Sequence, residues 1–263
     1  MAHKKAISST KKSTKPENQA TNTKAVSTDA IKQNLPLIAS LTAEFIGTFL
    51  LIASIFTVQN QPLFVAFALI GILLIVNGAK NAHLNPAITI GALVTKKIKP
   101  LQAVGKIMAQ LLGATAAWFT LTTFMSGSSA TTSSSSSTQL FHAASIASGK
   151  DWYIFFAELL GAIILAAGVS AALKAKDRMT AATTYGLAIL VAILFAGSVT
   201  AIHLTESNTG LTFINPATAI AANAVSWNIW PIAIYIVAPI VGSIVGFALQ
   251  DLLSQQTKDK QNA

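Results

Sequence analysis

No cysteine occurs in the 263 residues, which excludes disulfides, thiol nucleophiles and thiolate metal ligands and leaves the redox compartment unreadable. Charge is nearly as scarce. Only 10% of residues are charged against 52% hydrophobic ones, and the mean hydropathy is +0.59, too apolar for a chain that presents most of itself to water. Acidic residues are the scarcer sign, 9 against 18 Lys and Arg, for a net charge of +9. That excess does not describe a nucleic-acid-binding domain, because the cations stand in blocks beside apolar runs and not on a basic face of their own.

What the chain has in abundance is long apolar sequence. Five runs can each cross a hydrocarbon layer of about 30 Å at about 1.5 Å per residue: Leu37 to Val58, Leu101 to Met125, Trp152 to Leu173, Thr180 to Ala201 and Trp230 to Leu253. A sixth, Pro62 to Asn77, is shorter and runs into "NAHLNPAITI". With six spans, the blocks Lys4 to Lys32, Lys96 to Lys99, Lys174 to Arg178 and Lys258 to Lys260 all fall on one side, and Lys150 alone is a clear cation on the other. The positive-inside rule makes the first side cytoplasmic, with both termini there. Residues 1–36 carry seven Lys against Glu17 and Asp29, with no aromatic residue and no apolar core of a signal peptide, and are expected as a disordered basic cytoplasmic tail. A second tail is expected at 254–263. Trp152, Trp227 and Trp230 fall near span ends, as interfacial anchors do.

A Ser/Thr-rich segment, 126–151, reads as an external loop and divides the remainder, 37–253, into halves of about 37–125 and 152–253. The halves repeat. "AEFIGTFLL" at 43–51 resembles "AELLGAIIL" at 157–165, "NPAITI" matches "NPATAI", and "AQLLGA" at 109–114 matches "APIVGS" at 238–243, in the same order. Three spans per half bring the second half into the bilayer from the opposite face, an inverted 3+3 repeat.

The duplicated triplets Asn85-Pro86-Ala87 and Asn215-Pro216-Ala217 each announce a helix start, since Asn caps helix N-termini and Pro suits the first helical position. The apolar sequence behind each lasts about nine or ten residues, a helix of about 15 Å that crosses half a membrane. Two such half-helices entering from opposite faces meet at their N-termini near the midplane, where irregular backbone survives only inside protein or along a watery path. Converging N-termini and two amide donors disfavour a cation and suit a small, neutral, hydrogen-bond-accepting solute. Glu44 and Glu158 lie inside spans at equivalent repeat positions. They serve either as proton carriers or as acceptors for backbone N–H groups freed by the broken helices, and the equivalence favours the second. His83 reads as a loop-packing residue, with pH sensing as the alternative. Gly47, Gly113, Gly161, Gly242 and Gly246 suit close helix packing.

Over roughly residues 40 to 253, the paired boxes and the two embedded glutamates resemble the aquaporin, or major intrinsic protein, family. The resemblance implies an all-α membrane protein with six transmembrane helices in a right-handed bundle and two re-entrant half-helices. It also implies a pore in each protomer of a homotetramer, in the plasma or inner membrane, with neither cofactor nor metal nor catalytic group. Carried over residue by residue, the family's outer filter falls on His203, Thr212, Thr218 and a helix-two position, Ala66 or Phe67, with Val65 as a further candidate. His203 and Tyr235 match the water-selective type, and Ile236 is nearer the glycerol type. Thr218 stands where the family usually has Arg, Ala219 where glycerol facilitators have Asp, and Phe213 where Gly is usual. The expected function is a passive water channel, with facilitation of glycerol, urea or ammonia as the alternative and a proton-coupled carrier using Glu44 and Glu158 as a further one.

Overall fold

The computed structural model describes residue 1 and residues 22–76, 82–128, 143–203 and 210–261, with side chains outside the description at 22–35, 125–128, 201–203 and 256–261. The chain divides into two units, Met1–Pro36 and Leu37–Ala263, and the second holds both Asn-Pro-Ala boxes and the elements around them. Helix α1 (Asn22–Thr57) contributes to both units, so helix begins within the segment expected as a disordered tail. The remaining elements are α2 (Pro62–Ile75), α3 (Pro86–Val94), α4 (Pro100–Ser128), α5 (Asp151–Lys174), α6 (Arg178–His203), α7 (Pro216–Ala221), α8 (Ile229–Ile232), a π-helical turn (Ala233–Val237) and α9 (Ala238–Gln261). Among the described residues there is no strand.

Among the described residues, five stretches are long and apolar enough to cross a membrane: Pro36–Thr57, Pro100–Phe124, Asp151–Lys174, Arg178–Thr200 and Ile229–Gln255, with α2 as a shorter apolar sixth. This is the expected pattern of a multi-pass membrane protein. The outer surface carries Phe64, Leu112, Phe119, Leu187 and Leu194, side chains that only lipid or another protein would cover favourably. The last crossing is not a uniform helix. Pro239 has no N–H to give the Tyr235 carbonyl, and the π turn that ends at Val237 absorbs that missing bond while carrying Tyr235 inward.

The half-helices lock the repeats together, because each packs on a crossing helix of the other half: α3 on α9, and α7 on α4. Both also end alike. Lys96 and Asn223 take left-handed backbone (φ 59° and 57°) one residue beyond each C-cap, and the following N–H groups turn back onto the helix: Lys97 N to Ala92 O at 2.8 Å, Ala224 N to Ala219 O at 2.9 Å. These are paired Schellman turns. Asn tolerates the left-handed conformation, so Asn223 stops α7 after six residues, shorter than the nine or ten expected from its apolar sequence, while α3 has nine. At the far end of α3, Asp251 of α9 accepts from Lys97 (2.8 Å) and Lys174 (3.0 Å), fastening the ends of α3 and α5 to α9.

Two glycines at close helix crossings are repeat equivalents. A Cβ on Gly113 would strike the Phe45 carbonyl of α1, and one on Gly242 the Leu159 carbonyl of α5. No rotamer relieves a clash with backbone. Gly242→Ala is therefore expected to cost about 1–3 kcal/mol, as overpacking does. Gly71→Ala, where nothing lies within 4 Å, should be neutral or gain up to about 1 kcal/mol of helix propensity. Thermal unfolding of the purified variants followed by Trp fluorescence checks the contrast, and equal midpoints would contradict it.

Candidate functional site: the half-helix junction

Each box folds the same way. Asn85 and Asn215 have extended backbone (φ −157° and −145°), and each Oδ1 accepts from the N–H of the Ala two residues on, at 2.9 and 3.0 Å. Pro86 and Pro216 occupy the first helical positions, where no N–H is needed. The residue before each Asn is strained. Leu84 and Ile214 sit at φ 55° and 56°, a left-handed conformation that costs a non-glycine residue about 1–2 kcal/mol. In return each peptide carbonyl meets the opposite box: Asn85 Nδ2 donates to Ile214 O and Asn215 Nδ2 to Leu84 O, both at 2.9 Å. The junction is thus a reciprocal pair of amide–carbonyl bonds across the repeat axis. Each Nδ2 has a second hydrogen beyond the one it gives there.

The strained turns free further N–H groups, and the two buried glutamates take them. Glu44 accepts from His83 N (2.7 Å) on Oε1 and from Leu84 N (2.8 Å) on Oε2. Glu158 accepts from Phe213 N on Oε1 and from Ile214 N (2.8 Å) on Oε2. Sequence equivalence is reproduced as structural equivalence. His83 is also buried; its Nδ1 lies 3.1 Å from Thr89 Oγ1, and its carbonyl accepts from the Tyr185 hydroxyl. Because Thr89 Oγ1 gives its proton to Asn85 O (3.0 Å), the network assigns the proton of the His83–Thr89 contact to Nδ1.

The remaining sequence candidates divide. Ala66 is buried on the inner side of α2, with Val65 and Leu69. Phe67 is 63% exposed, on the outward stripe it shares with Phe64 and Ile75, so it does not face the interior and drops out of the filter set. Thr212 is buried in the loop before the second box, and its carbonyl accepts from Asn60 Nδ2 at 3.2 Å. Thr218 lies within α7, buried, and its Oγ1 has no protein partner. His203 closes α6, but its side chain lies outside the described residues. Phe213 turns its ring edge-on to Tyr235 at 5.2 Å, and the Tyr235 hydroxyl donates to Leu211 O at 3.2 Å.

Several members of the site escaped the sequence reading. Lys106 Nζ lies 2.7 Å from Glu44 Oε1, and Gln110 Nε2 donates to Glu44 Oε2 (2.8 Å) and to Thr89 Oγ1 (2.9 Å). Both come from α4, four residues apart and so on one face. A cation within an apolar run is the same signal that marked the glutamates. Asn60, in the turn between α1 and α2, has no such signature.

Half-helices that meet head to head through polar side chains inside a helical membrane bundle define a channel architecture. The major intrinsic protein family model matches residues 57–249, and the chain belongs to that family, whose members are channels and not enzymes. Among curated relatives, Aquaporin AqpM of Methanothermobacter thermautotrophicus is 26% identical over 192 residues, spanning 72% of this chain and 74% of its own. Glycerol uptake facilitator protein-like 6 of Lactiplantibacillus plantarum is 28% identical over 215 residues, spanning 77% and 92%. The aquaglyceroporin of Plasmodium falciparum shares the fold, with a TM-score of 0.58 at 20% identity over 82% of this chain and 96% of its own.

The two glutamates make an ordered prediction. Glu158→Gln points an amide donor at one of two N–H groups and should cost about 1–3 kcal/mol. Glu44→Gln also removes the carboxylate that pairs with the buried Lys106 ammonium and should cost about 3–5 kcal/mol. Unfolding midpoints of the two variants in detergent decide it. A larger loss for Glu158→Gln would contradict the assignment of partners.

Proposed function

We propose that the protein is a passive water channel whose pore passes the junction of the two boxes, lined there by Asn85, Pro86, Ala87, Asn215, Pro216 and Ala217. The observation that carries this reading is the reciprocal asparagine junction: it uses one hydrogen of each Nδ2 and leaves a second for a passing acceptor at mid-membrane. Glu44, Glu158 and His83 are loop-supporting in this reading, because their hydrogen bonds are taken up by backbone N–H groups and neighbouring side chains. That engagement argues against the proton-coupled carrier, which needs a carboxylate able to let its partners go.

The outer filter in this reading combines His203, Thr212, Thr218 and the inward helix-two residue Ala66. Residues 37–253 form the channel domain, with tails at 1–36 and 254–263 on the cytoplasmic side, as the cation blocks argue. The plasma or inner membrane and a homotetramer follow from the resemblance, and no cofactor is needed.

A second reading is favoured by one observation, the buried Thr218 hydroxyl without a protein partner. A short neutral side chain there leaves more room than a guanidinium and offers a single hydroxyl in place of a fork of donors. Glycerol, urea or ammonia would then pass as well, in keeping with similar identities to an aquaporin and to a glycerol uptake facilitator. Stopped-flow light scattering on vesicles separates the two. The water-channel reading expects fast shrinkage in sucrose and in glycerol without re-swelling. Rapid re-swelling in glycerol or urea would transfer the assignment to the facilitator, and shrinkage no faster than lipid alone would remove both.

A further inference from the structure

The buried polar network is not symmetric. Among the described residues the buried ionisable side chains of acidic or basic type are Glu44, His83, Lys106 and Glu158. Lys106 stands three residues before Ala109, and in the other repeat Tyr235 stands three before Ala238; likewise Gln110 corresponds to Pro239. Glu44 therefore holds an ammonium and a side-chain amide besides its two backbone N–H groups, whereas no cation among the described residues pairs with Glu158.

Hydrogen bonding alone does not require this cation. Glu44 Oε1 already accepts from His83 N, and Oε2 from Leu84 N and Gln110 Nε2. What the ammonium adds is charge. The carboxylate is one hydrogen bond from Leu84, whose carbonyl in turn receives Asn215 Nδ2. With Glu158 already lacking a cation in the equivalent position, a second uncompensated carboxylate so near a mid-membrane path would add a long-range attraction for cations in a poorly screening medium. Beside Lys106 it is reduced to a dipole. Residues 210–225 around the second box contain neither Lys nor Arg, so no side-chain cation helps from that half of the junction.

We propose that Lys106 is a specificity-determining residue, whose ammonium cancels the Glu44 carboxylate beside the first box and thereby keeps small cations out of the pore. The proposal rests on the channel reading. It is tested in phosphatidylcholine vesicles carrying the full-length protein, by recording water-driven shrinkage in sucrose and potassium and ammonium conductance on the same preparations. Lys106→Gln keeps an amide donor for Glu44 but removes the charge. It is expected to conduct water and to raise cation conductance about tenfold, equivalent to a barrier lower by about 1.4 kcal/mol. Lys106→Arg should match the parent. A Lys106→Gln channel that conducts water and excludes cations as the parent does would overturn the proposal. Should Lys106→Gln fail to fold, Glu44→Gln/Lys106→Met, which strands no charge, carries the test: parental cation exclusion supports the charge account, and a tenfold leak overturns it. Failure of the channel reading would appear separately, as water flux in the parent no faster than lipid.

Discussion

Backbone N–H and carbonyl groups released at mid-membrane must find partners inside the protein, and this constraint organises the whole molecule. A re-entrant half-helix exposes its first N–H groups and the turn that leads into it. Here every such turn is answered. The asparagines cap the helix starts, the left-handed Leu84 and Ile214 send their carbonyls to the opposite asparagine, and the glutamates collect the N–H groups that these turns release. The polarity that would be a liability in a lipid-facing helix is thereby concentrated at one junction. That junction is where the repeats meet, so the groups that hold the fold together are the same groups that the proposed path would offer to a solute.

Close helix approach is the second requirement, because the glutamates on α1 and α5 reach the loops only if the neighbouring helices do not hold them apart. Gly113 and Gly242 supply that approach at equivalent crossings, and the packing of α3 on α9 and of α7 on α4 makes each half-helix depend on the other repeat. The two halves are nevertheless not copies in their electrostatics. Lys106 and Gln110 surround Glu44, while the π turn and the Tyr235 ring with Phe213 occupy the corresponding region beside Glu158. One half pairs its glutamate with a cation, and the other packs an aromatic pair beside its loop.

Much of this was legible in the sequence because the membrane makes polar residues conspicuous. Asn-Pro pairs, embedded glutamates and the doubling of both mark the half-helices and the residues that hold their turns. The helix-two register was not legible, since Pro62–Ile75 is apolar all round and offers no polar residue to identify the inner face; only packing shows that Ala66 turns in and Phe67 out. The length of α7 was hidden for a similar reason, because its end is set by the left-handed backbone at Asn223 and not by any change in hydropathy. Lys106 carried a readable signal, a cation inside a span, but its partner on α1 is 62 residues away in sequence. Asn60, whose amide holds the Thr212 carbonyl, lies in the short turn between α1 and α2 and needed three dimensions to be seen.

The central claim is that a continuous watery path runs through the asparagine junction. The temperature dependence of osmotic water flux in protein-containing and protein-free vesicles tests it most directly, since water that crosses hydrocarbon must first leave its hydrogen bonds, whereas water in a polar-lined path exchanges them. The account predicts an activation energy well below that of the lipid alone. Equal activation energies with and without the protein would contradict it.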